Sequence, residues 1–443
     1  FMDYLARCSY LLQQGLFVGD VCYYYGDQSP NFFPLFHDVP EKPTIQGLGK
    51  GYDFDVINSD VILNRMSVKD GRLVLPDGMS YAIMSLPDQV HMPLAVLKKI
   101  SELVKAGATI VGPRPTTVPG LNDWEKENIA LRELAGEIWG AADGKTIFEN
   151  TYGKGRVLWG ISADAALKKQ NLEPDFSYTG TSEIDFIHRK SDFGEIYFLR
   201  NEKEEPVSAP CRFRVKEMYP EIWDASTGAF SRVADYTEGE GGTSFTIELP
   251  AHGSTFVIFN KDNRHNLSVV SSNKTVASET EISGPWKVSF PPDWGAPPSL
   301  VLERLISWTE SENRGVNYFS GTAVYHNSFT VAGTGDKNIV LDLGELRDVA
   351  EVFINDKSAG VLWKKPYQVD ISQLVKPGMN ELKIEIVNMW SNRMTGDMLS
   401  DPKDRFCKTN QPYMKSEVWP GGDEPYKLQT AGLLGPVILK SKQ

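Results

Sequence analysis

Alternation of apolar and polar residues is clearest between residues 321 and 393 of the chain. In AEVFIND, Val352 and Ile354 would face one side of an extended strand, with Glu351 and Phe353 on the other. The run ELKIEIVN, residues 381–388, repeats this alternation. Turn-forming Asn-Asp-Lys and Lys-Pro-Gly sequences punctuate the strands. The stretch therefore predicts a β-sandwich with one strand face in a core and with aromatic and amide side chains on its connections.

Short apolar runs alternate with amphipathic helices between residues 19 and 180. Strands are predicted at VCYYYG (21–26), SYAIMSLPD (80–88), TIVGP (109–113) and GRVLWG (155–160). Helices are predicted at 94–108, where leucine, isoleucine and valine recur every three or four residues, and at about 124–139. Strand–helix–strand alternation indicates a parallel sheet covered on both faces. We expect a doubly wound α/β domain, flavodoxin-like or amidotransferase-like.

Helical patterns disappear between residues 181 and 262. Six short strands are predicted there: EIDFIHRK, GEIYFLRN, CRFRVKE, EIWDASTG, GTSFTIELP and STFVIFN. Turn residues at regular intervals favour a small antiparallel β-sandwich. Residues 263–282 are polar and aperiodic, which predicts a linker before a last domain at 283–443.

The first 18 residues predict a helix of their own. Met2, Leu5, Tyr10 and Leu12 fit one face, and Gly15 follows as a stop signal. We interpret this segment as the last helix of an upstream domain, so that the chain is expected to be the C-terminal part of a longer protein.

Composition narrows the class of partner. The chain has 443 residues, which predicts two or three domains, and its net charge of −12 argues against binding to nucleic acid or anionic membrane. The four cysteines have no metal-like spacing. They allow at most two disulfides, but buried unpaired thiols are the expectation.

The doubly wound domain carries no recognisable catalytic motif. A glycine-rich run at residues 47–51 resembles a phosphate loop, yet it follows no clear strand and opens no clear helix. Cys22 lies inside a strand pattern rather than on a nucleophile elbow. The six histidines are scattered, so no metal site is predicted. We expect this domain to be structural or to lend a loop to a neighbour.

Aromatic, amide and guanidinium side chains on one sandwich are the best candidates for sugar contacts, because they combine stacking faces with planar donors. The candidates in the last domain are Trp363, Tyr367, Asn388, Trp390, Asn392 and Arg393. The last three look exposed beyond the final strand. Core packing or turn capping is the alternative for each residue taken alone.

His188 and Arg189 form a second candidate site. They lie on a predicted strand edge beside Asp185 and Asp192 and could bind a carbohydrate or a carboxylate. A local ion pair is the alternative interpretation.

Longer motifs resemble known families. YFSGTAVYHNSF, LDLGELRDVAEVFIND and GVLWKKPYQVDIS resemble the sugar-binding sandwich of family-2-type β-galactosidases and β-glucuronidases, which implies a galactose-binding-like jelly roll. GYDFDVINSDVILNRMSVKDGRLVLPDGMSYAIMSLPD and VNMWSNRMTGD resemble the C-terminal half of family 106 glycoside hydrolases. The resemblance covers essentially the whole chain.

The resemblance implies a secreted or periplasmic parent enzyme that removes terminal α-L-rhamnose from plant glycans by inversion. The family's catalytic glutamates lie on a barrel, with calcium at the active site, and that barrel would precede residue 1. No catalytic residue and no metal ligand is therefore assigned to this chain, whose expected partners are a carbohydrate and its own upstream barrel. Two alternatives stay open: a non-catalytic carbohydrate-binding protein, and purely structural support domains.

Overall fold

Two units, Phe1–Val270 and Ser271–Gln443, make up the computed structural model. It describes residues 1–27, 47–180, 183–263, 269–270, 276–332, 338–407 and 428–442. The finer boundaries at residues 18, 180, 262 and 282 stay predictions.

A six-stranded sheet forms the α/β part of the first unit. Its strands are parallel except for the last one, an antiparallel edge strand. Their order across the sheet is Phe54–Ile57, Val21–Tyr24, Ile83–Ser85, Thr109–Val111, Gly155–Leu158 and Glu149–Tyr152. A small antiparallel sheet accompanies it, made of Ser67–Lys69, Arg72–Val74 and Ser80–Tyr81.

Both faces of the six-stranded sheet are buried. Ser59–Arg65, Leu94–Ala106 and Trp124–Trp139 share a core with one face, and Ala163–Lys169 with the other. Successive strand residues alternate between the two cores, since Cys22 belongs to the first and Val21 to the second. The prediction of a doubly wound domain is confirmed.

A β-sandwich completes the first unit, and each of the six predicted strands overlaps one of its strands, although the strand predicted at 211–217 lies at Val207–Phe213. One sheet has the order Leu16–Phe17, Ile184–Lys190, Gly194–Asn201, Ser254–Asn260, Tyr219–Trp223, Phe230–Val233 and Val269–Val270. The other has the order Phe176–Tyr178, Val207–Phe213, Gly242–Leu249 and Thr237–Gly239. Aromatic side chains dominate the core between the sheets; Tyr197, Phe213 and Phe259 are wholly buried in it.

The N-terminal helix, Met2–Leu12, packs on the outside of this sandwich. Its Cys8 and Leu11 share a core with Phe256 and Ile258 of the seven-stranded sheet. The amphipathic pattern of the helix is therefore used within this unit.

The second unit is a sandwich with two main sheets, and the galactose-binding-like fold expected for it is confirmed. The larger sheet has the order Ser299–Leu302, Trp286–Ser289, Thr322–Val331, Gly378–Val387, Val349–Ile354 and Lys357–Leu362. The smaller has the order Val276–Glu281, Ile438–Lys442, Asn338–Asp342 and Gln368–Asp370, and a short ladder joins Glu345–Leu346 to Leu433–Gly435. Its helices are Trp308–Glu310, Arg314–Asn317, Ser391–Met398 and Pro402–Asp404, the first and last being 3₁₀ turns.

Three local features differ from the sequence-based expectations. The predicted linker contains the strand Val276–Glu281, which pairs with Ile438–Lys442; residues 264–268 and 271–275 of that linker lie outside the described residues. The helix Ser391–Met398 gave no apolar periodicity because its buried side chains include Asn392, Arg393 and Asp397. The run GLLGPVILK, residues 432–440, predicts a single strand, but the structure has two, Leu433–Gly435 and Ile438–Lys442.

The four cysteines all lie in the described part of the chain; none forms a disulfide, and Cys8, Cys22 and Cys211 are buried. In the described part of the chain, no helix is both long enough and apolar enough to span a bilayer.

Candidate functional site

An open groove lies on the outer face of the larger sheet of the second unit. Its volume of about 600 Å³ falls in the range typical of small-molecule sites, roughly 300–1,000 Å³. We call it the aromatic groove, and it is lined by Ser289, Phe290, Pro291, Trp294, Ser320, Gly321, Thr322, Val324, Glu385 and Trp390.

The floor of the aromatic groove is a row of side chains on three neighbouring strands. Ser289 is in register with Val324, and Val324 with Glu385. The adjacent residues Val288 and Ile384 are completely buried in the core. Because successive side chains of a strand point to opposite faces, the floor residues stand on the solvent side.

Two tryptophans form the wall. The ring centroids of Trp294 and Trp390 are 5.4 Å apart, with the ring planes at 59°. Trp390 is 53% exposed, so half of a large aromatic surface is open to solvent. Aromatic side chains with one buried and one open side provide apolar contact area for a ligand that also carries polar groups.

Arg393 lies behind the two tryptophans and hydrogen-bonds to one of them. Its Nη2 donates to the backbone oxygen of Trp294 at 2.9 Å, and its backbone N–H donates to Oγ of Ser320 at 3.1 Å. The guanidinium lies 4.5 Å from the ring centroid of Phe406. Arg393 is only 3% exposed, so the expectation that it is an exposed side chain is wrong. Its geometry makes it a positioning residue for the wall.

Asn388 fixes the opening of the groove. Its Oδ1 accepts a hydrogen bond from the backbone N–H of Gly321 at 2.9 Å, and its Nδ2 donates to the backbone oxygen of Phe319 at 2.9 Å. Oγ of Ser320 donates to the backbone oxygen of Met389 at 2.9 Å. These bonds tie the segment before the strand Thr322–Val331 to the segment that carries Trp390.

The other predicted contacts in this unit lie outside the groove lining. Asn392 is 2% exposed, which corrects the expectation of an exposed side chain, and both ends of its amide are bonded to the backbone of Gln429. Tyr367 is buried in the core. Trp363 is half-buried and has Lys364 Nζ 5.7 Å from its ring centroid. The structure thus brings Trp390 to the groove, with Asn388 and Arg393 behind it.

His188 is buried in the first unit, and the prediction that it lies beside Asp185 and Asp192 is wrong. Its Nδ1 is 2.8 Å from Oδ2 of Asp175, and its Nε2 is 3.1 Å from Oε2 of Glu195. The ring of Tyr197 stacks on the imidazole with centroids 3.9 Å apart. The predicted partner Asp185 instead pairs with Arg200. The strand that carries His188 is not at a sheet edge, since Leu16–Phe17 and Gly194–Asn201 flank it.

Arg189 also has a structural role, because its guanidinium group bonds to backbone oxygens. Its Nε donates to the backbone oxygen of Gln14 at 2.7 Å and its Nη2 to that of Gly15 at 2.8 Å. Both carbonyls follow the helix Met2–Leu12, so Arg189 fastens the end of this helix to the sandwich.

The buried carboxylates keep His188 charged. Burial lowers the pKa of His188, but Asp175 and Glu195 outweigh it and raise the pKa to about 9. Burial raises the pKa of Asp175, but His188 and Arg214 reverse the shift and hold it below the usual value. Arg214 also pairs with Asp20 at 2.8 Å. A charged network therefore joins the start of the α/β sheet to the sandwich.

Trp294 and Glu385 are groove residues that the sequence-based candidates missed. The signal for Glu385 was present, because the alternation in ELKIEIVN places it on the face opposite the core. Trp294 follows a strand in FPPDWG, a run without periodicity. Its position in the groove lining, beside the ring of Trp390, follows from the tertiary structure and not from a sequence pattern.

Within the described ranges, no three or more His, Cys, Asp or Glu side chains are grouped so that they could hold a metal ion.

Two known proteins are similar to this chain over nearly its whole length. A rhamnosidase from Novosphingobium sp. PP1Y is 31% identical, with a TM-score of 0.82 over 99% of this chain and 40% of that one. A curated protein named putative beta-glucuronidase, from Formosa agariphila, is 24% identical, covering 99% of this chain and 56% of its own length. The chain thus spans about half or less of the length of these two relatives.

Two family models match different parts of the chain. The glycosyl hydrolase 2 galactose-binding domain-like model matches residues 307–432, which include Trp390. The alpha-L-rhamnosidase model of glycoside hydrolase family 106 matches residues 1–238, more than half of the 443 residues. This chain belongs to the α-L-rhamnosidase family 106 of glycoside hydrolases.

Proposed function

We propose that this chain is the accessory, substrate-binding part of an α-L-rhamnosidase and that its aromatic groove binds the carbohydrate. The observation that carries the proposal is the Trp294–Trp390 wall above a floor with a carboxylate and a hydroxyl. A sugar ring has apolar C–H faces and a rim of hydroxyl groups, so it matches a site with one aromatic wall and polar atoms below it.

Under this proposal, hydrolysis takes place on a catalytic barrel of the same enzyme, outside this chain. The glutamates and any calcium ion belong to that barrel, and the enzyme is secreted and acts on terminal α-L-rhamnose of plant glycans. The share of the Novosphingobium rhamnosidase that this chain covers, 40%, supports a division of this kind. We expect no turnover of an aryl α-L-rhamnoside by this chain alone; measurable turnover would contradict this part of the proposal.

Sugar binding is tested directly by saturation-transfer NMR of methyl α-L-rhamnoside with the full chain. We expect signal transfer to the wild type and its loss in Trp390→Ala, because Trp390 is the exposed half of the wall. Trp363→Ala is the matched control, since this tryptophan is on the same unit but does not line the groove. Absence of transfer to the wild type, or equal loss in both variants, would overturn the proposal.

A purely structural role for the second unit is the competing function. The burial of Asn388, Asn392 and Arg393 favours it, because their polar atoms hold backbone groups of this unit. It predicts that Trp390→Ala changes neither sugar binding nor the KM of an enzyme that contains this chain.

A further inference from the structure

The charged groups that line the aromatic groove are of one sign, negative. Among the described residues that line it, Glu385 alone has an ionisable side chain. Its side chain is 32% exposed, and Oε1 accepts a hydrogen bond from Nζ of Lys383 at 2.9 Å. A carboxylate has two oxygens with about four acceptor positions. Acceptor positions therefore remain for a ligand.

The ammonium group of Lys383 does not line the groove. Its Nζ lies 3.8 Å from the ring centroid of Phe353, on the neighbouring strand away from the tryptophans. The cation is thus shared between the carboxylate and an aromatic face. The groove lining thus contains Glu385 and not Lys383, although the two side chains form an ion pair.

A second carboxylate stands next to the first. Glu351 is in register with Glu385 on the adjacent strand Val349–Ile354. Its Oε1 accepts a hydrogen bond from the hydroxyl of Ser358 at 2.8 Å, which leaves its charge in place. Like charges directly opposite each other on a sheet are unfavourable. Glu351 does not itself line the groove, but the two carboxylates and the single ammonium group of Lys383 together carry a net negative charge beside it.

We propose that the aromatic groove selects neutral sugars and rejects uronic acids, with Glu385 as the specificity-determining residue. The inference rests on the proposed function of the groove. Glu385 accepts hydrogen bonds from sugar hydroxyls while the ring lies against Trp294 and Trp390. The carboxylate of a uronic acid would face Glu385 as a like charge, and such juxtaposition is a strong means of excluding a wrong partner.

The test uses methyl α-L-rhamnoside as the neutral probe and methyl β-D-glucuronide as the uronate probe. Dissociation constants are measured by NMR titration of the full chain at pH 7. For the wild type we expect binding of the neutral probe to be at least about tenfold tighter, equivalent to about 1.4 kcal/mol. In Glu385→Gln, which keeps the shape and removes the charge, the two constants should lie within about threefold.

Glu381→Gln is the matched control. Glu381 is an exposed carboxylate on the same face of the same strand, but it does not line the groove. This variant should keep the discrimination of the wild type.

Equal or tighter binding of the uronate to the wild type would overturn the inference while leaving the groove a sugar site. Equal loss of discrimination in Glu381→Gln and Glu385→Gln would also overturn it, since the effect would then come from net charge. If neither probe bound to the wild type, both the inference and the proposed function would fail.

Discussion

Asn392 and Gln429 hydrogen-bond each other twice. Nδ2 of Asn392 donates to the backbone oxygen of Gln429, and the backbone N–H of Gln429 donates to Oδ1 of Asn392, both at 2.7 Å. This closed pair fastens the helix Ser391–Met398 to the segment that leads into the strand Leu433–Gly435. Asn392 therefore supports the chain beside the aromatic groove.

Replacement of Asn392 by Ala should lower the free energy of unfolding by about 1–3 kcal/mol, because a buried residue loses both bonds to Gln429. Trp390→Ala should lower the free energy of unfolding by about 1 kcal/mol, since the Trp390 ring is half exposed and packs against Trp294. Urea denaturation of the two variants gives the comparison. A larger loss in Trp390→Ala would show that Trp390 is the structural residue of the two.

The His188 network should make the first unit sensitive to alkaline pH. The folded pKa of His188 is about 9 against an ordinary 6.5, so folding favours the protonated form. The stabilisation is then fully present below pH 6.5 and is lost as the pH rises through about 9. The pKa of Asp175 is lowered from 3.8, so its contribution disappears on the acid side, as the pH falls below about 4.

His188→Gln should flatten the decline in stability between pH 6.5 and 9, because the titrating group is gone. It should also lower stability at pH 6, since Asp175 then keeps only Arg214, and Glu195 only Lys190, as a cationic partner. His326→Gln, at an exposed histidine, is the control. Parallel pH profiles of thermal unfolding for wild type and His188→Gln would contradict the charged state of this imidazole.

The glycine-rich run at residues 47–51 has a packing role. Gly51 has a φ of +86°, and a Cβ there would lie 2.0 Å from the backbone oxygen of Phe176. Its own carbonyl accepts hydrogen bonds from the backbone N–H groups of Asp175 and Phe176, at 2.8 and 3.2 Å. Close backbone approach thus explains the glycine without a phosphate.

Gly51→Ala should destabilise the first unit by more than about 1 kcal/mol, because the conformation and the contact both exclude a methyl group. Gly136→Ala is the matched control. Gly136 lies within the helix Trp124–Trp139, and a Cβ there meets no atom within 4 Å. That change should stabilise the unit by about 0.5–1 kcal/mol. Chemical denaturation would show opposite signs; the same sign would refute the packing argument.

The contribution of a buried hydrogen bond to the core of the second unit can be tested at Tyr325. Its buried hydroxyl accepts hydrogen bonds from Nε1 of Trp308 at 2.6 Å and from the backbone N–H of Leu433 at 3.3 Å. Tyr325→Phe leaves both donors without this acceptor and should cost about 1–3 kcal/mol. An unchanged unfolding midpoint would mean that water replaces the hydroxyl.

The sequence pattern alone determined which segments form strands or helices and which side of each faces a core. Alternation in AEVFIND and ELKIEIVN reflects a one-sided core, so Val352, Ile354 and Ile384 could be assigned to it and are fully buried. The helix at 94–108 could also be predicted, because an amphipathic stripe is a local property of the sequence. The structure has this helix at Leu94–Ala106.

Only the tertiary structure decided what the polar and aromatic side chains do. Trp390 and Arg393 are three residues apart, yet one is 53% exposed and the other 3%. Arg393 is buried because its polar groups bond to Trp294 and Ser320, which are 99 and 73 residues away in sequence. His188 likewise owes its charge to Asp175 and Glu195, on other segments. Contacts between distant segments leave no periodic trace, so pattern could identify the layers and structure was needed to locate the groove.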